Sequence, residues 1–260
     1  MKPGFLEDLH VKKAIRYAML SQVALAGLLV LFQVSEHWPA LGPGQRSAPA
    51  TGPVTPGDQR REYRTDRPTP DLMTGPPGAD YPGEFPDRLA FLDRDVDPFG
   101  AVLMLSGQIA PGDADRFERE LEARSSLPER VVLHSPGGSV GDAQEIGRML
   151  RARELSTAVL AGGYCVSACP YVLAAGIDRQ VSESGIVGMH QHYYDATMVL
   201  PAMFAVKDIQ FSQGETLQYL IDMGIAPSLM LYSLQTPPEE IYALVRDELL
   251  ETGLATSVTD

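Results

Sequence analysis

Between residues 101 and 191, short apolar runs alternate with amphipathic stretches, and this alternation constrains the fold more than any other feature of the chain. AVLMLSGQI (101–109) reads as a strand closed by a glycine turn. PGDADRFERELEARS (111–125) reads as a helix, with Asp113 as its N-cap and Phe117 and Leu121 spaced to share a face. RVVLHS (130–135) is a second strand, and SVGDAQEIGRMLRARE (139–154) a helix with Val140, Ala143, Ile146, Met149 and Leu150 on one side. LSTAVLA (155–161) is a third strand, SACPYVLAAG (167–176) a short and very apolar helix, and GIVGMHQ (185–191) a fourth strand. Strands that alternate with crossover helices must run parallel, which predicts an α/β domain with a buried sheet. From about residue 205 the chain reads as mainly helical.

The rest of the chain differs sharply in composition. Lys2, Lys12, Lys13 and Arg16 precede an apolar run of 18 residues from Tyr17 to Val34. That length predicts an uncleaved signal-anchor helix, and the basic flank puts the N-terminus in the cytoplasm and the remainder outside. Eleven of the 21 prolines fall between Pro39 and Pro86, where aliphatic residues are few and no apolar period recurs. Such a stretch cannot bury enough surface to offset the entropy of ordering it. Three regions are therefore expected: residues 1–35 as basic end and membrane anchor, 36–90 as disordered linker, and 91–260 as the folded domain. The formal charge of −13 argues against nucleic acid or anionic lipid as the main partner.

In parallel sheets, ligands meet the loops at the carboxyl ends of strands. Three such loops stand out: HSPGGSV (134–140), GGYCVSAC (162–169) and MHQHYY (189–194). Glycines after a strand let backbone N–H groups face a ligand oxygen without side-chain obstruction. Ser167 stands where a loop enters a helix, so an N-cap is one reading of it. The other is a nucleophile, which needs a base to take its proton, and His190 ends the next strand. The N–H groups of Gly138 and Ala168 would then hold an oxyanion.

Taken in order, SPGGSV, GGYCVSACPYVLAAG and IVGMHQ resemble the Clp protease and crotonase superfamily, on its serine-peptidase side. The similarity covers roughly residues 101–191, with ETGLATS near the end resembling the family's closing segment. The resemblance implies a spiral of repeated ββα units and a nucleophile at Ser167, nine residues before Gly176. It also implies a base at His190, 23 residues after the serine, and oxyanion donors at Gly138 and Ala168. Relatives build rings, so a homo-oligomer is expected. A cytosolic ATPase partner is not, because it would lie across the membrane. The implied substrate is a peptide or protein, and neither a cofactor nor a metal is required.

The chain departs from the family pattern in three places. No aspartate falls in register for the acid of a triad, which leaves Glu240, Glu239 and Asp222 as candidates to orient His190. Membrane-associated relatives use a Ser–Lys dyad, and Lys207 is the only lysine after residue 13. Cys165 and Cys169 replace small residues. In an oxidising compartment, with Cα atoms about 6 Å apart across one helical turn, they are expected to form a disulfide. The same cysteines with His190, His192 and His134 form an alternative zinc set, ranked below the serine mechanism. The expectation is a membrane-anchored, extracytoplasmic serine hydrolase. Its competitors are a non-catalytic scaffold on the same fold and, more weakly, acyl-thioester chemistry.

Overall fold

The computed structural model describes residues 4–36, 56–57, 59–63, 75–192 and 202–259. The chain divides into two units, Met1–Arg46 and Ser47–Asp260. The first contains helix α1, Gly4–Glu36. Its large apolar side chains point outward all round, among them Ile15, Leu20, Val23, Leu25 and Leu28. Among the described residues no helix is long and apolar enough to cross a membrane. The side chains of residues 30 and 32–36, which complete the apolar run, lie outside the described ones.

The second unit is an α/β structure with two mixed sheets. Its elements, in order, are β1 (Arg60–Glu62), β2 (Ala90–Val96), β3 (Gly100–Ser106), α2 (Asp113–Ala123), β4 (Arg130–His134) and α3 (Val140–Ala152). They continue with β5 (Ser156–Val159), β6 (Tyr164–Val166), α4 (Cys169–Ala174), β7 (Arg179–Ser182) and β8 (Ile186–Met189). Last come α5 (Ala202–Asp222), α6 (Leu229–Leu234), β9 (Glu240–Ala243), α7 (Arg246–Glu251) and β10 (Ser257–Thr259). The larger sheet has the order β10-β7-β5-β4-β3-β2, parallel except for the β2–β3 hairpin. The smaller has the order β1-β9-β8-β6, with β6 and β8 parallel and β9 antiparallel to both neighbours.

The expected parallel sheet is present, but the strand that carries His190 is not in it. The chain passes through the large sheet as β5, turns, and enters the small sheet as β6 before α4. It does the same with β7 and β8. Both turns depend on a glycine: a Cβ on Gly163 or on Gly185 would stand 2.7 or 2.8 Å from the Leu160 carbonyl oxygen. No side chain fits at that approach. The sequence reading missed β7 and the terminal strands β9 and β10, which are only three or four residues long.

Helices α2, α3 and α4 cover one face of the large sheet, where Phe117, Ile146, Leu150 and Tyr171 pack with Leu105 and Leu133. The other face is closed by residues that had been assigned to the linker. Ala79 and Tyr81 pack there against Val102, Met104 and Val132. Phe85 and Leu89 are also buried, and residues 60–62 form β1. The linker reading therefore fails for residues 59–63 and 75–89. Prolines kept these segments irregular, but a few aromatic and aliphatic side chains suffice to fix them on a preformed sheet. Asp113 is likewise not an N-cap. Gly112 holds that position, and the buried Asp113 carboxylate turns back to accept from the N–H groups of Leu89 and Ala110. The Arg116 guanidinium bonds it at 2.6 Å, and these partners together hold its pKa down against burial.

Candidate active site

Helix α4 is six residues long and entirely buried, so its ends need partners inside the protein. Arg151 supplies them at the C-terminus. Its guanidinium donates to the carbonyls of Ala174, Ala175, Gly176 and Met223. At the other end, Cys165 in β6 and Cys169 at the first helical position are joined by a disulfide, with Cα atoms 5.1 Å apart. The turn between them is thus tied across its base. Ser167 sits at the top of this turn with φ of +62°, left-handed backbone that a non-glycine residue adopts at a cost.

The N-cap role is excluded by geometry. Ala168 is the N-cap of α4, no side chain caps the helix, and the Ser167 hydroxyl points elsewhere. Its Oγ lies 2.7 Å from Nε2 of His190, which stands just beyond β8 and is 5% exposed. On the other side of the ring, Nδ1 lies 2.9 Å from the carbonyl oxygen of Pro238. A carbonyl can only accept, so Nδ1 carries the proton and Nε2 presents its lone pair to the serine. Burial pushes the His190 pKa down. The Pro238 carbonyl and the charge of Glu239 push it back up more weakly.

The expected carboxylate partner is therefore replaced by a backbone carbonyl. Glu239 is exposed and acts on His190 through its charge alone. Glu240 pairs with Arg60 at 3.5 Å, and Asp222 is exposed at the end of α5, accepting from Gln218. Lys207 is exposed on α5, and no hydrogen bond joins it to Ser167 among the described residues. The four other metal candidates are engaged elsewhere. The cysteines bond to each other, His192 Nε2 meets the Tyr171 hydroxyl at 2.9 Å, and His134 Nδ1 accepts from the Tyr164 N–H.

The SPGG turn lies directly against the serine. A Cβ on Gly137 would stand 2.5 Å from the Cβ of Ser167 and 2.7 Å from the Ala168 nitrogen. Only glycine fits there, a requirement the GG pair signals. Gly138, at φ of +137°, is bridged to Ile109 through its neighbours: Ile109 N–H donates to the Gly137 carbonyl and Ser139 N–H to the Ile109 carbonyl. No backbone acceptor takes the N–H of Gly138 or of Ala168 among the described residues.

One contributor had no signal in the sequence reading. Tyr63, just past β1, lays its ring on that of His190 with centroids 4.5 Å apart. Its hydroxyl donates to the Pro136 carbonyl at 2.8 Å, beside Ser167. Burial raises its pKa, and the serine contact offsets part of that. A lone tyrosine in a proline-rich stretch carries no periodicity to betray it. No family model matches the chain, and no curated protein matches it.

Proposed function

We propose that the protein is a serine hydrolase, most simply a peptidase, with Ser167 as nucleophile and His190 as general base. The observation that carries this reading is the chain of two contacts from Ser167 Oγ to His190 Nε2 and from His190 Nδ1 to the Pro238 carbonyl. It gives a serine whose proton has an acceptor, and a histidine whose tautomer is fixed by a group that cannot donate. Oγ attacks the substrate carbonyl carbon as its proton passes to Nε2. The oxyanion forms between the N–H groups of Gly138 and Ala168. Collapse breaks the C–N bond, Nε2–H protonates the leaving amine, and water then releases the acyl group by the reverse sequence. No step needs a cofactor.

The family resemblance supports the same reading, because the SPGG turn, the serine turn and the histidine occur in the family's order. The paired-strand-and-helix path through β5–β6–α4 and β7–β8 is compatible with its ββα spiral. We further propose that α1 is a membrane anchor with the second unit outside the cytoplasm, supported by the basic flank, the outward apolar side chains and the disulfide.

A scaffold role is the second reading, favoured by the missing carboxylate. A fluorophosphonate probe separates the two. Stoichiometric labelling should map by mass spectrometry to Ser167 and vanish in Ser167→Ala. A parent protein that stays unlabelled under conditions that fully label a control serine hydrolase would leave the scaffold.

A further inference from the structure

We propose that the outer edge of β9 is the docking strip for an extended peptide, and that residues 59–63 occupy it in the resting protein as an intramolecular blocker. The identity of the displaced ligand, a peptide substrate, rests on the hydrolase reading above. Without β1, strand β9 would be an edge of the small sheet. Such an edge accepts an added strand through main-chain hydrogen bonds, whatever its sequence. Here the added strand comes from the same chain. Arg60, Arg61 and Glu62 pair antiparallel with Tyr242, Ile241 and Glu240. The ladder continues at both ends, with Ala243 N–H donating to the Gln59 carbonyl and Tyr63 N–H to the Glu239 carbonyl.

The strip leads into the site, because β9 begins just after Pro238, whose carbonyl orients His190. The blocker thus delivers Tyr63 onto the pair. The Tyr63 ring packs against His190, and its hydroxyl donates to the Pro136 carbonyl. Tyr63 therefore spans the cleft from the β9 side to the SPGG turn. A substrate carbonyl must come within about 3 Å of Oγ to react, and the Tyr63 side chain, reaching past His190 to the Pro136 carbonyl, borders that approach.

The hold is modest and reversible in kind. The strand is three residues long, and Arg60 keeps an exposed pairing with Glu240 and the Gln235 carbonyl. Arg61 is its deep anchor, at 2% exposed. An incoming peptide would exchange one β-ladder for another, so opening requires little net loss of hydrogen bonding.

The test uses the full chain. Tyr63→Ala should raise the rate of fluorophosphonate labelling at Ser167 on the order of tenfold, the size expected when a minor open state becomes the main one. Tyr63→Phe, which keeps the ring and loses the hydroxyl, should fall between. The peptide PGDQRREY, residues 56–63, added in trans should slow the Tyr63→Ala protein again. If the parent labels, slower or unchanged labelling in Tyr63→Ala would overturn the blocker, the first by making Tyr63 a support for His190. A second readout does not depend on the chemistry of Ser167. Fluorescein-labelled PGDQRREY, followed by anisotropy, should bind Tyr63→Ala about tenfold more tightly than the parent, whose strip is occupied. Equal binding would sink the docking strip. Preferred binding without labelling in any variant would keep the strip and remove the hydrolase reading. Labelling without any binding preference would do the reverse.

Discussion

Two buried histidines end apolar strands in this molecule, His134 as the last residue of β4 and His190 just after β8, and each leads into a loop of the candidate site. At His134, Nδ1 accepts the N–H of Tyr164 at 3.2 Å, the ring stacks on Tyr81 at 4.1 Å, and Nε2 has no hydrogen-bond partner among the described residues. At His190 the same ring atom, Nδ1, meets a carbonyl instead. That single change of partner reverses the other nitrogen. A donor at Nδ1 forces the proton onto Nε2 and leaves that nitrogen of His134 without a lone pair to accept with. An acceptor at Nδ1 frees Nε2 of His190 for the serine. Residue type and burial are shared, so neither distinguishes the two rings. The polarity of one backbone group does, by turning the His190 lone pair to Ser167.

The contrast is broken most directly by removing each ring. His190→Ala should slow labelling of Ser167 by about 10²–10⁴-fold, the usual range for loss of a positioned base. His134→Leu should leave the labelling rate of folded protein within a few-fold while costing about 1–3 kcal/mol of stability, since the buried Tyr164 N–H loses its acceptor. Urea unfolding monitored beside probe labelling would check both. Equal loss of labelling in the two variants would mean that His134 acts on the site after all.

Acid separates the two next. Burial pulls the His134 pKa down to about 3 from an ordinary 6.5. As pH falls below 6.5 the unfolded chain takes up this proton and the folded one does not. Stability present at neutral pH is then lost progressively between 6.5 and 3. At pH 4.5 the loss should be about 2–3 kcal/mol relative to pH 7, read from urea midpoints. His134→Leu should flatten that window. His190 contributes with the same sign, since burial also lowers its pKa. An unchanged pH profile in His134→Leu would show that carboxylates such as Asp113, not this ring, set the acid limit.

What the sequence made legible follows the same physics. The large sheet and its helices could be read because they repeat: apolar runs at strand length, then Ile146 and Leu150 at helical spacing. Ser167, His190 and the GG turn were placed together by their order in a resemblance, and the structure brings them into contact. Of the small sheet only β8 was legible, as the fourth strand, and its separation from the large sheet was not. Its strands are three or four residues long, too short for a period, and two of them follow a large-sheet strand with only a glycine turn between. The partner of His190 is a main-chain carbonyl, which every residue possesses and no motif marks. Tyr63 and the segments around it lie in a proline-rich stretch whose composition signals disorder. They are fixed by tertiary contacts with residues distant in sequence, as between Tyr63 and Pro136 or Arg61 and Ile241.

The smallest effect tests whether the missing carboxylate has left any trace. Glu239 follows Pro238, makes no hydrogen bond to the imidazole, and still raises the His190 pKa through its charge. Glu239→Gln removes that charge and keeps the backbone carbonyl that receives Tyr63 N–H. The His190 pKa should then fall further, so the neutral, basic form persists to lower pH. In a plot of labelling rate against pH, the parent's midpoint should lie below the ordinary 6.5 because burial dominates. The variant's midpoint should lie lower again, by a small step, as befits one exposed charge in water. Raising the salt to 1 M should erase the difference, since the Debye length there is about 3 Å. A midpoint that moves up, or a gap that survives high salt, would mean that Glu239 reaches the ring directly when the site works, as the acid of an ordinary triad would.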